Sequence, residues 1–151
     1  MTIPIELIKE YFKFLEKYGF SISRKKYSPE IMGNAEVIYQ SPSVSVKIVI
    51  DRGQVLINIG KVSWLEKDWF EYSDVVSFFA PGEDAYIFPE EADNSQYTLE
   101  IQLKRVASML EKYCRKMLEG DFSMQNQIKE IETKRINKML SSFHKHSHGD
   151  N

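Results

Sequence analysis

Cysteine is nearly missing from this chain. Cys114 is the single one among 151 residues, so no disulfide can close within the chain and a reducing compartment is expected. The seven glycines are scattered singly. They form neither G-x-G-x-x-G nor G-x-x-x-x-G-K-[ST], which removes the usual phosphate-cradling loops. No apolar run approaches the roughly 18 residues of a membrane span. The opening Met-Thr-Ile-Pro-Ile-Glu-Leu-Ile-Lys-Glu carries Glu6, Lys9 and Glu10, unlike the basic start and unbroken apolar core of a signal peptide. A soluble, cytoplasmic protein is expected. Histidine occurs at 144, 146 and 148 only. On a helix His144 and His148 would share a face, but no Cys or obvious carboxylate accompanies them, so they read as a solvated tail. No metal and no cofactor is expected.

What the chain does have is alternation. In Ser43–Lys61, Val44, Val46, Ile48 and Ile50 fall on alternate positions, then Val55, Ile57 and Ile59. This is the pattern of half-buried strands. A turn at Arg52-Gly53 pairs Asp51 with Gln54, Ile50 with Val55, Ile48 with Ile57 and Val46 with Ile59, so apolar meets apolar throughout. Because Arg disfavours positive φ, a type II turn or a glycine bulge competes with type I′ there. Upstream, Ala35, Val37 and Tyr39 alternate as well. A turn at Ser41-Pro42 would set Tyr39 against Val44, Val37 against Val46 and Ala35 against Ile48. Phe20–Arg24 reads as a first short strand and Tyr27–Asn34 as a loop.

Helical spacing frames this meander. Pro4–Tyr18 reads as one helix with Ile5, Ile8, Phe12 and Leu15 inward and Gly19 as its stop. Ser73 is placed to cap a short helix through Phe79. From Ser95, the stripe Leu99, Leu103, Val106, Leu110, Tyr113 and Met117 predicts a core helix ended by Gly120. A last, more exposed helix is predicted from about Met124 to Phe143. The expected fold is α+β: an N-terminal helix, a three- to four-stranded antiparallel meander and two C-terminal helices. Residues 1–143 form a single domain on this reading, and 144–151 a flexible tail.

Charge is unevenly spread. Residues 1–61 carry nine bases and six acids, residues 62–100 one base and ten acids, and residues 101–151 ten bases and six acids. Within the acidic middle, residues 64–88 hold eight aromatics, Trp64, Trp69, Phe70, Tyr72, Phe78, Phe79, Tyr86 and Phe88. Aromatic anchors ringed by acids are one reading, and the plugged end of a small sheet is the other. The first makes Trp64, Asp68, Trp69, Tyr72, Glu83, Asp84, Tyr86, Glu90, Glu91 and Asp93 a surface for a protein partner. The paired acids Glu83-Asp84 and Glu90-Glu91 have no His and almost no base beside them, so no catalytic residue is assigned. Cys114, on the periodic helix, reads as packed. Lys and Arg are spread without an aromatic stacking platform, so neither nucleic acid nor membrane is an expected partner.

Lys17-Tyr18-Gly19-Phe20 after a leading helix, then two meander strands, Asp51-Arg52-Gly53-Gln54, Ile59-Gly60 and Asp68-Trp69-Phe70 together resemble small bacterial α+β proteins of unknown function. Some of those resemble immunity proteins encoded beside polymorphic toxins. The resemblance spans roughly residues 5–80 and implies a non-enzymatic inhibitor that occludes a cognate toxin. A basic toxin domain such as a nuclease suits the acidic segment. A small enzyme working in the acidic aromatic loop and an adaptor or regulatory protein are the alternatives.

Overall fold

A computed structural model of the chain describes residues 3–30, 33–87 and 95–148, with side chains through residue 143. Five antiparallel strands, β1 (Ser21–Ser28), β2 (Asn34–Gln40), β3 (Val44–Asp51), β4 (Gln54–Lys61) and β5 (Phe70–Glu71), lie side by side in chain order. The β3–β4 register matches the alternation pair for pair, from Asp51 opposite Gln54 to Val46 opposite Ile59. Val44, Val46, Ile48, Ile50, Val55, Ile57 and Ile59 expose no surface at all. Arg52 (φ 49°) and Gly53 (φ 81°) are both left-handed, the type I′ pattern. Asn34 holds this turn: its Oδ1 accepts from Arg52 N at 2.8 Å and its Nδ2 donates to Asp51 Oδ1 at 3.0 Å.

The β2–β3 register lies two residues from the expected one. Tyr39 faces Val46, Val37 faces Ile48 and Ala35 faces Ile50. The turn runs over Pro42-Ser43, because the Ser41 hydroxyl accepts from both Ser43 N (3.3 Å) and Val44 N (3.0 Å) and Pro suits the second turn position. A shift of two leaves the same faces inward. β1 continues past Arg24 to Ser28, into the segment expected to be loop, with an irregularity between Ile22 and Arg24. As an edge strand it is exposed along most of its length, so its continuation past Arg24 shows no alternation. The two-residue β5 takes the sheet to five strands.

The leading helix is in two parts. α1 (Ile3–Tyr11) tightens into a 3-10 segment, Lys13–Tyr18. Leu15 N bonds Phe12 O at 3.0 Å, and Phe12 and Leu15 are both fully buried. Residues three apart eclipse in a 3-10 turn, which brings these two onto one line. Gly19 (φ 87°) closes it. α2 (Tyr72–Phe79) is capped by Glu71, whose carboxylate accepts from Ser73 N at 2.7 Å; Ser73 itself is not the cap. α3 (Gln96–Tyr113) is capped by Ser95, and after a break at Cys114 comes α4 (Arg115–Leu118). α5 (Gln125–His148) runs five residues beyond the expected end at Phe143. α1 packs on β2, α3 on β4, α2 on β4 and β5, and α5 on α2 and β5. The opposite face of the sheet, with Glu36, Lys47 and Asn58, carries none of the described α-helices. No described helix is long and apolar enough to cross a membrane.

Two side chains finish the uncovered part of β4. Gln102 on α3 accepts from Val55 N at 3.0 Å and donates to Gly53 O at 2.7 Å, so its amide stands in for a neighbouring strand. The Tyr86 hydroxyl accepts from Ile57 N at 3.1 Å. Buried backbone groups left open would each cost about 1–3 kcal/mol.

Candidate partner-docking surface

The connection from β4 to β5, residues 62–69, is short, irregular and firmly held. Asp68 N bonds Leu65 O at 2.9 Å and Trp69 N bonds Glu66 O at 3.1 Å, which winds the segment into one 3-10 turn. Half-buried Trp64 meets Phe70 and Phe122 edge-on, both at 5.4 Å between centroids. The Lys61 ammonium lies 5.7 Å from the Trp64 ring and 5.6 Å from Phe122, within cation–π range. Trp69 packs against Gly60, where a Cβ would collide with the indole; a glycine in mid-strand permits that approach. Two indoles therefore buttress the connection. Its tip is apolar and open: Leu65 is 65% exposed and Val62 40%. Around it stand Asp68, exposed, and Glu66, which joins Arg24 (3.1 Å) and Lys47 (3.4 Å) of the uncovered sheet face.

Between this connection and the start of α5 is a depression of about 290 Å³, lined by Trp64, Asp68, Phe70, Gln125, Asn126 and Lys129. Gln125 Oε1 is buried with no donor among the described residues.

The other expected anchors lie elsewhere. Tyr72 is fully buried; its hydroxyl donates to Ala85 O at 3.2 Å and its ring meets Tyr86 at 5.2 Å. It is a core residue and not an anchor, since a side chain with no accessible surface cannot touch a partner. The Tyr86 hydroxyl is spent on Glu71 and on Ile57 N. Burial raises both phenols above their ordinary value, and the neighbouring Glu71 carboxylate raises Tyr86 further. Glu83 and Asp84 are exposed but sit beside α3, where Arg105 reaches Glu83 at 3.5 Å and the Asp84 carbonyl at 2.6 Å. Glu90, Glu91, Asp93 and Phe88 lie outside the described residues. The acidic segment therefore divides: Glu66 reaches the open sheet face, Asp68 borders the start of α5, and Glu83 and Asp84 lie beside α3. Sequence reading missed Val62 and Leu65, because an apolar residue between strands looks the same whether it plugs a core or faces water. It also missed the counter-ions, which come from Arg24, Lys47, Arg105 and Arg135, far away in the chain.

Cys114 is fully buried and its thiol is pushed up to about 12 by burial, the reverse of activation. At about pH 8 the native protein is expected to resist iodoacetamide, while denatured protein is alkylated within minutes. Mass spectrometry of the two samples checks this; rapid native labelling would show that Cys114 is accessible. Among the described residues no three His, Cys, Asp or Glu side chains gather closely enough to hold a metal ion. The side chains of His144, His146 and His148 lie outside those described.

No family model matches the chain, and no curated protein or solved structure matches it either.

Proposed function

We propose that this chain is a binding protein that neutralises a basic protein, such as a nuclease toxin, by occupying its working surface without turning over a substrate. One observation carries the reading: the apolar tip Val62/Leu65 stands exposed beside Asp68 and Glu66 on a connection buttressed by two tryptophans. A rigid apolar knob loses little freedom on docking, and anchors seated in pockets supply most of an interface's affinity. Glu66 is matched by Arg24 and Lys47, so the exposed Asp68, with Lys67 at 3.9 Å, is the acid that attracts a basic partner and raises its association rate at low salt. The depression at the start of α5, lined by Asp68 and Lys129 among others, offers a recess beside the knob for a side chain of the partner. The resemblance of residues 5–80 to small bacterial α+β proteins of unknown function, some of which resemble immunity proteins, points the same way.

The experiment is neutralisation. Products of the reading frames flanking this one are expressed in a host cell with and without the chain, and growth is scored. Rescue from one of them is expected. Leu65→Glu is expected to weaken binding to that product at least about tenfold. Asp68→Lys is expected to slow association, and raised salt to slow that of the wild type. Both positions are exposed, so circular dichroism should show an unchanged fold. Folded variants that bind and protect like the wild type would remove the tip from the interface, and rescue from no flanking product would overturn the inhibitor reading.

A further inference from the structure

α5 outlasts the domain it packs on. Its first turns are anchored: Ile128 is fully buried, and Arg135 reaches Asp74 of α2. Beyond Arg135 every described residue except half-buried Ile136 is exposed. This stretch is not uniformly polar. Met139 is 59% exposed, Leu140 57% and Phe143 74%. With Ile136 they are spaced three, four and seven, which at ~100° per residue is a single stripe along the helix. Large apolar side chains gathered on one exposed strip mark an interaction site more often than isolated ones do.

We propose that this stripe pairs with the same stripe of a second copy of the chain, α5 against α5. The placement of charge selects that occupant. Lys134 and Lys138 fall on the side of the helix opposite the stripe, so in a helix pair both stay in water. The described positions flanking it are Thr133, Asn137, Ser142 and Arg135, and Arg135 is already bonded to Asp74 at 2.8 and 2.9 Å. Glu132, ion-paired with Lys129 at 3.2 Å, closes the stripe on the domain side. Set antiparallel, with Ile136 of one copy near Phe143 of the other, two identical stripes meet without opposing like charges among the described side chains, as coiled-coil seams require. An acidic groove or an anionic lipid surface would need bases on the flanks, where they could reach it; here they point away. The seam is short. The eight residues from Ile136 to Phe143 span about 12 Å, less contact than the roughly 800 Å² per partner of a standard interface. Pairing is accordingly weak and set by concentration.

The test is sedimentation velocity on the full chain from about 5 to about 500 µM. The wild type is expected to pass from monomer to dimer across that range. A Met139→Glu/Leu140→Glu double variant is expected to remain monomeric with its melting temperature unchanged, since both side chains are more than half exposed. Lys138→Glu is expected to dimerise as the wild type does. A wild type that stays monomeric throughout, or a double variant that still dimerises, overturns the proposal. Flotation of the wild type with phosphatidylglycerol vesicles, abolished by Lys138→Glu, also overturns it and assigns the stripe to a lipid surface.

Discussion

Ile48→Asp is expected to leave the chain unfolded at room temperature, whereas Lys47→Asp is expected to melt within a few degrees of the wild type. The two positions are adjacent in β3 but point to opposite faces. Ile48 has no exposed surface and sits between Val37 and Ile57. A carboxylate there would have no counter-ion, and burying it costs several kcal/mol even when it protonates to escape its charge. A domain of this size holds about 5–15 kcal/mol in all, and the same change removes the packing of a large core side chain, itself worth about 2–5 kcal/mol. Lys47 faces the uncovered side opposite Asn58 and reaches Glu66 at 3.4 Å. Reversing it loses one partly exposed ion pair and sets two acids near each other, about 1 kcal/mol. Thermal melts by circular dichroism separate the outcomes. A folded Ile48→Asp protein with the wild-type melting temperature would sink the register on which the whole sheet rests.

The second large effect is expected at the clamp between α2 and α5. Asp74 is 2% exposed and receives both Arg135 Nε (2.8 Å) and Nη2 (2.9 Å). Removing the arginine strands a buried carboxylate, which typically costs about 3–5 kcal/mol. The Arg135 side chain is 43% exposed, so solvent answers part of the loss, and Arg135→Ala is expected near the low end, about 3 kcal/mol. Adding Asp74→Ala to that variant is expected to recover a sizeable part, because the stranded charge goes with it. Urea titrations of the wild type, both single variants and the double variant close the cycle. Strictly additive losses would mean that the pair has no mutual energy and that α5 is held by Ile128 and its neighbours alone.

These two expectations differ in how far the sequence announced them. The face of Ile48 was legible because seven β-branched residues alternate across a two-residue turn, and only one register satisfies them all. The register before it was less so. Ser41 and Ser43 flank Pro42 symmetrically in composition, and only the Ser41 hydroxyl's bonds to Ser43 N and Val44 N settle which residues make the turn. β5 is too short to show a period, and β1 was legible only in its first half, since beyond Arg24 its exposed residues do not alternate. The clamp was not legible at all: Asp74 looks like any acid in an acidic stretch until Arg135, 61 residues later, is folded against it. The same distance effect spoiled the acidic segment as one surface, since Glu66, Asp74 and Glu83 take their partners from other elements. The aromatic crowd divided along a line that composition does not draw: Tyr72 went to the core, Trp64 and Trp69 to the underside of the connection, and the exposed apolar tip to Leu65 and Val62.

Strand order equals chain order in this sheet, and that governs what a ribosome releases. All five strands lie within the first 71 residues, while α3, whose Gln102 and leucines close over β4, ends at Tyr113. At ordinary elongation rates of about 5–20 residues per second, the sheet is out for roughly 2–8 seconds before that cover follows. Neighbour-to-neighbour pairing is quick to form, so the nascent chain carries a paired meander with much of its oily side bare through that interval. Synthesis of this protein thus has a defined vulnerable window. It opens once the β4–β5 connection has emerged and shuts when Gln102 docks on Val55.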